Sequence, residues 1–174
     1  SDYFDDTYWH NQEKEKFTGY CTDIFFTKAM TWMKEQADKD TPFLTYIPTN
    51  TPHGPLWAPE DDIKAMEDEL AQSELAGIDP RLKEQLASYL GMVRNVDTNM
   101  GRLMNFLEAE NLAENTILIF TTDNGSTFGW KYYNAGMRGK KRQVWEGGHR
   151  VPLFIRWPGG ELGPSRKIKT LTQV

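Results

Sequence analysis

The stretch TILIFTTDNGS, residues 116–126, contains the strongest signal for the fold. Its first five residues, 116–120, are uncharged and either β-branched, aliphatic or aromatic, which predicts a short strand buried on both faces. Asp123, Asn124 and a glycine follow directly, and open α/β sheets bind ligands just beyond the carboxyl ends of their strands. Adjacent carboxylate and amide oxygens suit a hard cation such as Ca²⁺ or Mg²⁺. The same residues also suit an Asx turn, so the local pattern fits either a turn or a metal site.

The composition is that of an ordinary globular protein. Of the 174 residues, 39% are hydrophobic and 26% are charged, without a low-complexity tract. The net charge of -5 argues against a nucleic-acid partner, and no apolar run approaches the roughly 18 residues of a membrane span. Cys21 is the only cysteine, which excludes an intrachain disulfide. The first residues lack an initiator Met and the last, KTLTQV at 169–174, show no helix end, so we expect an internal piece of a longer protein.

Hydrophobic periodicity predicts alternating helices and strands along the chain. After a hairpin-like entry over residues 1–20, the predicted elements are a helix from Thr22 or Asp23 to about Asp38, a strand over Phe43–Ile47, an acidic helix from Glu60 to about Leu70, a long helix from Arg81 to about Glu110 and a strand over Val151–Ile155. Apolar residues in the long helix step by three and four, which indicates a stripe facing the core. This order of elements predicts an α/β fold with a parallel or mixed sheet flanked by helices.

Three further positions could carry chemistry, and all lie in loops next to predicted strands. His53, between two prolines in TPHGP at 51–55, could donate a hydrogen bond or a proton to an anion, although a surface turn histidine is the plainer interpretation. Lys141, in a GKKR run, could clamp an anionic oxygen or belong to a solvated basic loop. His149, in EGGHRVP at 146–152, could be a site residue or could pack under the loop.

The order of these motifs is more specific than any one of them. A strand precedes Pro-His-x-Pro; then come a long helix, a strand ending in Thr-Asp-Asn-Gly, and Lys-x4-Glu-Gly-Gly-x-Arg-x-Pro before a third strand. This order resembles the sulfatase family of the alkaline-phosphatase-like superfamily, and the resemblance covers nearly all of residues 19–160. The runs GYCTD at 19–23 and ENT at 114–116, and Asp97 in the long helix, also look like that family.

The resemblance assigns roles to individual residues. In sulfatases the Asp-Asn pair belongs to the site of a divalent cation, usually calcium, which makes Asp123 and Asn124 metal ligands. His53 corresponds to a sulfate contact and candidate general acid near the leaving oxygen, and Lys141 corresponds to a second sulfate contact. His149 holds a position that the family does not fix, so it is predicted only as a substrate contact. Cations and a proton donor suit this chemistry, because negative charge develops on the leaving oxygen.

One part of the family pattern is missing from the chain. Sulfatases use a formylglycine nucleophile made from Cys or Ser in Cys/Ser-x-Pro-x-Arg, and Pro164-Ser165-Arg166 matches only its tail, since Leu162 stands where Cys or Ser is needed. The family's other metal carboxylates are missing too. We therefore expect residues 1–174 to be a fragment of a single sulfatase catalytic domain that lacks its N-terminal half. The formylglycine would lie outside this chain, and the chain alone is predicted to be inactive.

The leading hypothesis is thus a fragment of a sulfuric ester hydrolase that acts on a small-molecule or carbohydrate sulfate ester with a divalent cation. A phosphodiester or phosphonate-ester hydrolase of the same superfamily is one alternative, and a non-catalytic module that binds a sulfated glycan is another. The N-terminal half of its own domain is the expected protein partner. The resemblance also implies a periplasmic or extracellular location.

Overall fold

The computed structural model describes residues 3–168, which adopt an α/β fold and so confirm the predicted class. The strands are β1 (Thr7–His10), β2 (Glu13–Lys16), β3 (Leu118–Thr121) and β4 (Leu153–Arg156). The helices are α1 (Cys21–Ala37), α2 (Glu60–Ala71), α3 (Pro80–Ala109) and the one-turn α4 (Glu146–His149), with 3-10 turns at Ala113–Asn115 and Gly129–Lys131. The outermost residues, 1–2 and the KTLTQV segment, lie outside the described part.

The long helix α3 organises the core. It begins as predicted, because the Asp79 carboxylate accepts hydrogen bonds from the backbone N–H groups of Arg81 and Leu82 at 3.0 and 3.2 Å, and Pro80 is its first residue. Its apolar stripe is confirmed as core, with one half packed on α2 and the other on α1. The buried side chains at these two contacts are Leu70, Leu86 and Ala87 in the first and Phe26, Met33, Leu103 and Leu107 in the second.

Helix α1 starts one residue before its predicted cap. Cys21 is its first residue, Tyr20 precedes it without a side-chain cap, and both predicted caps lie inside the first turn. Asp23 instead joins α1 to α3, because its Oδ1 accepts hydrogen bonds from the Nδ2 atoms of Asn95 and Asn99 at 3.1 and 2.6 Å. These two partners lie on α3, so the sequence near α1 alone could not indicate the bond.

The segment Phe43–Ile47 is not the buried strand that its apolar run predicts. It pairs with no strand within residues 3–168, and Leu44 and Tyr46 are 92% and 86% exposed. Phe43 and Ile47 pack against the core between α1 and α3. Phe43 and Ile47 therefore contact the core, whereas Leu44 and Tyr46 between them are exposed. An unbroken apolar run in the sequence does not show which of its residues will be buried.

Strand β3 spans Leu118–Thr121 and so overlaps only the second part of the strand predicted over residues 116–120, and the predicted burial on both faces is wrong. Ile119 is 56% exposed, and its antiparallel partner on β4, Ile155, is 53% exposed. Both pairs of strands within residues 3–168 are antiparallel, whereas a parallel or mixed sheet was expected. A parallel pair needs a long crossover, usually a helix, and the only helix between β3 and β4 is the single turn α4. No helix in the described part is both long and apolar enough to cross a bilayer.

Candidate functional site

His53 lies in the histidine loop, which we define as residues 49–57. The residue itself is exposed, and both X-Pro bonds beside it, Thr51-Pro52 and Gly54-Pro55, are cis. Its backbone N–H donates to the Asn50 carbonyl at 2.8 Å, and its ring Nδ1 lies 2.9 Å from the Gly54 carbonyl. Because a carbonyl only accepts, Nδ1 must carry a hydrogen, and Nε2 is the ring nitrogen left to meet a ligand.

The histidine loop rests on a buried group of polar side chains before and at the start of α1. The Tyr3 hydroxyl donates to the carbonyls of Asn50 and His53 at 3.0 and 2.5 Å, and the Thr22 and Thr51 hydroxyls lie 2.7 Å apart. The Cys21 thiol donates to Asn50 Oδ1 at 3.3 Å. The loop is therefore held by side chains that lie far from it in sequence.

Burial controls the protonation of these anchoring groups. Desolvation raises the pKa of Tyr3 to about 12, and it also raises the pKa of the Cys21 thiol. The pKa of Tyr20, whose hydroxyl donates to the Trp57 carbonyl at 2.9 Å, is raised by burial as well. All three groups therefore keep their hydrogens at neutral pH and remain hydrogen-bond donors.

Three of the other candidate residues, Asp123, Asn124 and Lys141, lie in the basic loop, which we define as residues 123–148. Its parts are held together through the backbone: Gly125 N–H donates to the Gly148 carbonyl at 3.0 Å, and Gly147 N–H donates to the Arg138 carbonyl at 2.8 Å. The Lys141 N–H donates to the Ser126 carbonyl at 3.4 Å. Lys141 and the Asp123-Asn124 pair are thereby brought to the same part of the molecule.

The Asp123 and Asn124 side chains, which are predicted as metal ligands, contact each other. The Asn124 Nδ2 donates to Asp123 Oδ2, and a half-turn of the amide would place Oδ1 there, so the two side chains could present oxygens to a single cation. Calcium takes about six to eight oxygen ligands, which is more than two side chains provide. Among residues 3–168, no cluster of three or more His, Cys, Asp or Glu side chains could hold a metal. The donor chemistry therefore fits a hard cation, and further ligands would have to come from elsewhere.

His149 does not pack under the basic loop. It is an exposed residue at the end of α4, and its Nε2 lies 3.2 Å from the Val144 carbonyl, to which it must donate. The structure therefore leaves His149 accessible and close to the segment that carries Lys141. Its predicted substrate contact stays a prediction.

The structure places three of the predicted site residues in one loop and His53 in another. Asp123, Asn124 and Lys141 share the basic loop, but within residues 3–168 the hydrogen bonds of His53 run to Tyr3, Asn50 and Gly54. The sequence interpretation missed the residues that fix the histidine loop, namely Tyr3, Thr22 and Thr51. Thr22, whose hydroxyl bonds to Thr51 of the histidine loop, was interpreted from the sequence as a helix cap.

Comparisons with known proteins agree with the motif order. A sequence model of the sulfatase family matches residues 1–174. An ulvan-active sulfatase of Formosa agariphila is 30% identical over 164 residues, which cover 91% of this chain and 32% of that protein. An N-acetylgalactosamine-6-O-sulfatase of Bacteroides thetaiotaomicron is 27% identical over 87% of this chain and 28% of its own length. The chain thus spans about a third or less of the curated relatives that it matches.

A solved structure gives the same answer for the fold. The crystal structure of Ps i-CgsB in complex with k-i-k-neocarrahexaose superposes with a TM-score of 0.73 at 31% identity, covering 86% of this chain and 31% of that one. Because the family model matches the whole chain, the chain belongs to the sulfatase family.

Proposed function

We propose that this chain supplies part of the active site of an enzyme that hydrolyses sulfate esters on carbohydrates. The observation that carries the proposal is the packing of the basic loop, which holds the Lys141 segment beside the Asp123-Asn124 pair at the end of β3. In a chain of the sulfatase family, such a group has the charges needed to bind a sulfate ester and to stabilise the charge that develops during its cleavage.

Two side chains are proposed to contact the sulfate. The Lys141 ammonium would bind a sulfate oxygen, where a fixed positive charge offsets negative charge on the ester. His53 would approach the leaving oxygen through Nε2, because Nδ1 is engaged with the Gly54 carbonyl. A proton at Nε2 would then pass to that oxygen as the ester bond breaks. His149 is kept as a substrate contact.

A divalent cation, calcium by the family resemblance, would be held by Asp123 and Asn124 together with ligands from elsewhere in the complete enzyme. When bound, such a cation draws negative charge from the sulfate oxygens. The nucleophile is proposed to be a formylglycine outside this chain. We keep periplasmic or extracellular as the expected compartment.

The composition of the basic loop supports a carbohydrate substrate. Between residues 124 and 145 there is no Asp or Glu in a protein of net charge -5. The same stretch contains five cationic and five aromatic side chains: Lys131, Arg138, Lys140, Lys141, Arg142, Phe128, Trp130, Tyr132, Tyr133 and Trp145. Aromatic rings suit the faces of sugars, and the cations suit sulfate groups. The relatives and the solved complex named above include proteins whose names specify carbohydrates.

Exposed apolar side chains on β3, on β4 and in the segment 43–47 support a partner for this chain. Leu44, Tyr46 and Phe154 are 92%, 86% and 64% exposed, and Ile119 is 56% exposed. Exposed apolar side chains grouped on strands and extended segments mark surfaces that another part of a protein covers. We propose that the N-terminal half of the same catalytic domain covers them.

Substitution of the two sulfate contacts in the full-length enzyme tests the proposal. Both His53→Ala and Lys141→Ala should lower kcat/KM for a sulfated oligosaccharide by about 10²–10³-fold, because each removes a charge or proton that stabilises the transition state. Steady-state assay of sulfate release measures the effect. His10→Ala and Lys39→Ala, at exposed positions on β1 and after α1, are matched controls and should keep the parent activity.

Parent kinetics in both His53→Ala and Lys141→Ala would refute the assignment of the site. Preferential hydrolysis of a phosphodiester or phosphonate ester would favour the related hydrolase class instead. Tight binding of a sulfated glycan without turnover by the full-length protein would favour a binding module.

The chain on its own gives a second test. The purified 174-residue polypeptide should not release sulfate from an aryl sulfate, because the nucleophile and part of the cation site are proposed to lie outside it. Turnover by this polypeptide, with a mass-confirmed sequence and no contaminating sulfatase, would contradict the proposal.

A further inference from the structure

The strongest unexplained feature of the molecule is a pair of buried hydroxyls that joins α1 to the histidine loop. Thr22 is fully buried and Thr51 is 9% exposed, and their Oγ1 atoms lie 2.7 Å apart. The Thr22 hydroxyl also lies 3.9 Å from the Cys21 sulfur, but loss of the shorter bond should still be unfavourable because a poorly satisfied buried hydroxyl is costly. Thr51 stands two residues before His53, and the bond therefore fixes the loop close to the histidine.

A second set of bonds fixes the backbone on either side. The Tyr3 hydroxyl bridges the carbonyls of Asn50 and His53 at 3.0 and 2.5 Å, and Cys21 donates to the Asn50 side chain at 3.3 Å. Tyr3 is only 2% exposed, and its ring stacks on Tyr20 with centroids 5.8 Å apart. The supporting Tyr3, Cys21, Thr22 and Thr51 are therefore buried, while the histidine that they support is exposed.

This contrast between a buried support and an exposed ring is more than the loop needs for stability alone. The two carbonyls that Tyr3 binds belong to the turn that presents His53, and one of them is the carbonyl of His53 itself. A reacting group that is displaced by about 1 Å can lose about 10²-fold in rate, so a fixed backbone at this position has a direct kinetic value.

We propose that Thr22 and Tyr3 are positioning residues for His53, and that they act on turnover by fixing the backbone of the histidine loop through Thr51 and through the carbonyls of Asn50 and His53. The inference rests on the proposed role of His53 at the sulfate ester. Neither residue touches the substrate, so each acts only through the histidine.

The first experiment compares Thr22→Val with Thr22→Ser in the full-length enzyme on a sulfated oligosaccharide. Valine keeps the shape of threonine without its hydroxyl, so kcat should fall by about 10-fold or more while KM changes by less than about 3-fold, since the lost interaction acts in the transition state. Serine keeps the hydroxyl and should restore most of kcat. Thr31→Val is the matched control: Thr31 is exposed on the same helix, bonds only to the Thr27 carbonyl at 3.0 Å, and should give parent kinetics.

A double-mutant cycle separates positioning from general destabilisation. In a His53→Ala background, Thr22→Val should lower kcat no further, because the residue through which it acts is absent. A kcat loss of the same factor in both backgrounds would overturn the proposal, and so would parent kcat in a folded Thr22→Val enzyme. Parent kcat in His53→Ala itself would instead refute the proposed function of His53, so the two failures are distinguishable.

Tyr3→Phe provides a variant that does not disturb the hydroxyl pair. It removes the donor to both carbonyls but keeps the ring stacked on Tyr20. We expect kcat to fall by about 3-fold or more, again with no further loss in the His53→Ala background. If Thr22→Val does not fold, this variant decides the proposal, and parent kcat in Tyr3→Phe overturns it.

Discussion

The histidine loop and the basic loop are both irregular segments that present candidate site residues, yet they are held in different ways. The histidine loop is anchored by side chains from elsewhere in the chain, through the Thr22–Thr51 hydroxyl pair and the Tyr3 hydroxyl. The basic loop is closed mainly by hydrogen bonds among its own residues, where Gly125 meets Gly148 and Gly147 meets Arg138, and the Tyr89 hydroxyl of α3 adds a bond to the Ser126 hydroxyl at 3.3 Å. The histidine loop should therefore be sensitive to loss of polar groups, and the basic loop to addition of side-chain volume.

The glycines show why volume matters in the basic loop. A Cβ added at Gly125 would lie 1.9 Å from the Gly147 carbonyl oxygen, and one added at Gly148 would lie 2.2 Å from the Gln143 carbonyl oxygen. Backbone atoms cannot turn aside as the end of a side chain can. In the histidine loop, a Cβ at Gly54 would meet nothing within 4 Å.

The largest expected effect is that of Gly125→Ala. The new methyl group would push apart the two segments of the basic loop that contain Gly125 and Gly147, beside Asp123 and Asn124. The substitution should lower the unfolding free energy by about 2–5 kcal/mol and should abolish activity. Urea unfolding and sulfate release by the full-length enzyme measure both effects. Gly101→Ala, with open space at the added Cβ inside α3, is the control and should stabilise by about 0.5–1 kcal/mol. Equal stability of the two variants would show that close backbone approach does not hold the basic loop.

A smaller effect is expected from Asn134, a side chain that braces the basic loop from within. Asn134 Nδ2 donates to the carbonyls of Met137 and Gly139 at 2.6 and 2.8 Å. Asn134→Ala should lower the unfolding free energy by about 1–2 kcal/mol, because both carbonyls would lose their hydrogen-bond donor. Asn105→Ala, at an exposed position on α3, serves as control and should be close to neutral. If Asn134→Ala matched that control in urea unfolding, the two Asn134 hydrogen bonds would not contribute to the stability of the basic loop.

The smallest expected effect is a loss of stability in alkali that arises at the base of the histidine loop. Burial raises the pKa of Tyr3 from 10.0 to about 12, so between these pH values the folded protein keeps a proton that the unfolded chain releases. The stabilising contribution is thus complete below about pH 10 and is lost as the pH rises toward 12. Cys21 and Tyr20, whose pKa values are also raised, act in the same direction.

Denaturant midpoints measured between about pH 8 and pH 11 test this dependence. Tyr3→Phe should flatten the decline, whereas Tyr46→Phe, at a position that is 86% exposed, should leave it unchanged. An identical decline in all three proteins would mean that Tyr3 titrates in the folded state as it does in the unfolded chain.

Local sequence predicted the elements whose signals are complete within the element. The cap at Asp79 and the stripe of α3 are examples, since both the donor groups and the apolar spacing lie in one helix. The strand signal at residues 43–47 failed because strand formation needs a partner, and none lies within residues 3–168. Asp23 was mistaken for a cap because its true partners, Asn95 and Asn99, lie more than 70 residues away.

The sequence by itself determined the family, the α/β class and the identity of the candidate site residues, because residue order and local periodicity are properties of a linear chain. The tertiary structure alone decided how those residues are held. It placed Tyr3 and Thr22 against the histidine loop. It also brought Gly147 to Arg138 and Gly125 to Gly148. Such contacts join positions far apart in the chain, and their distances and burial follow only from how the elements pack.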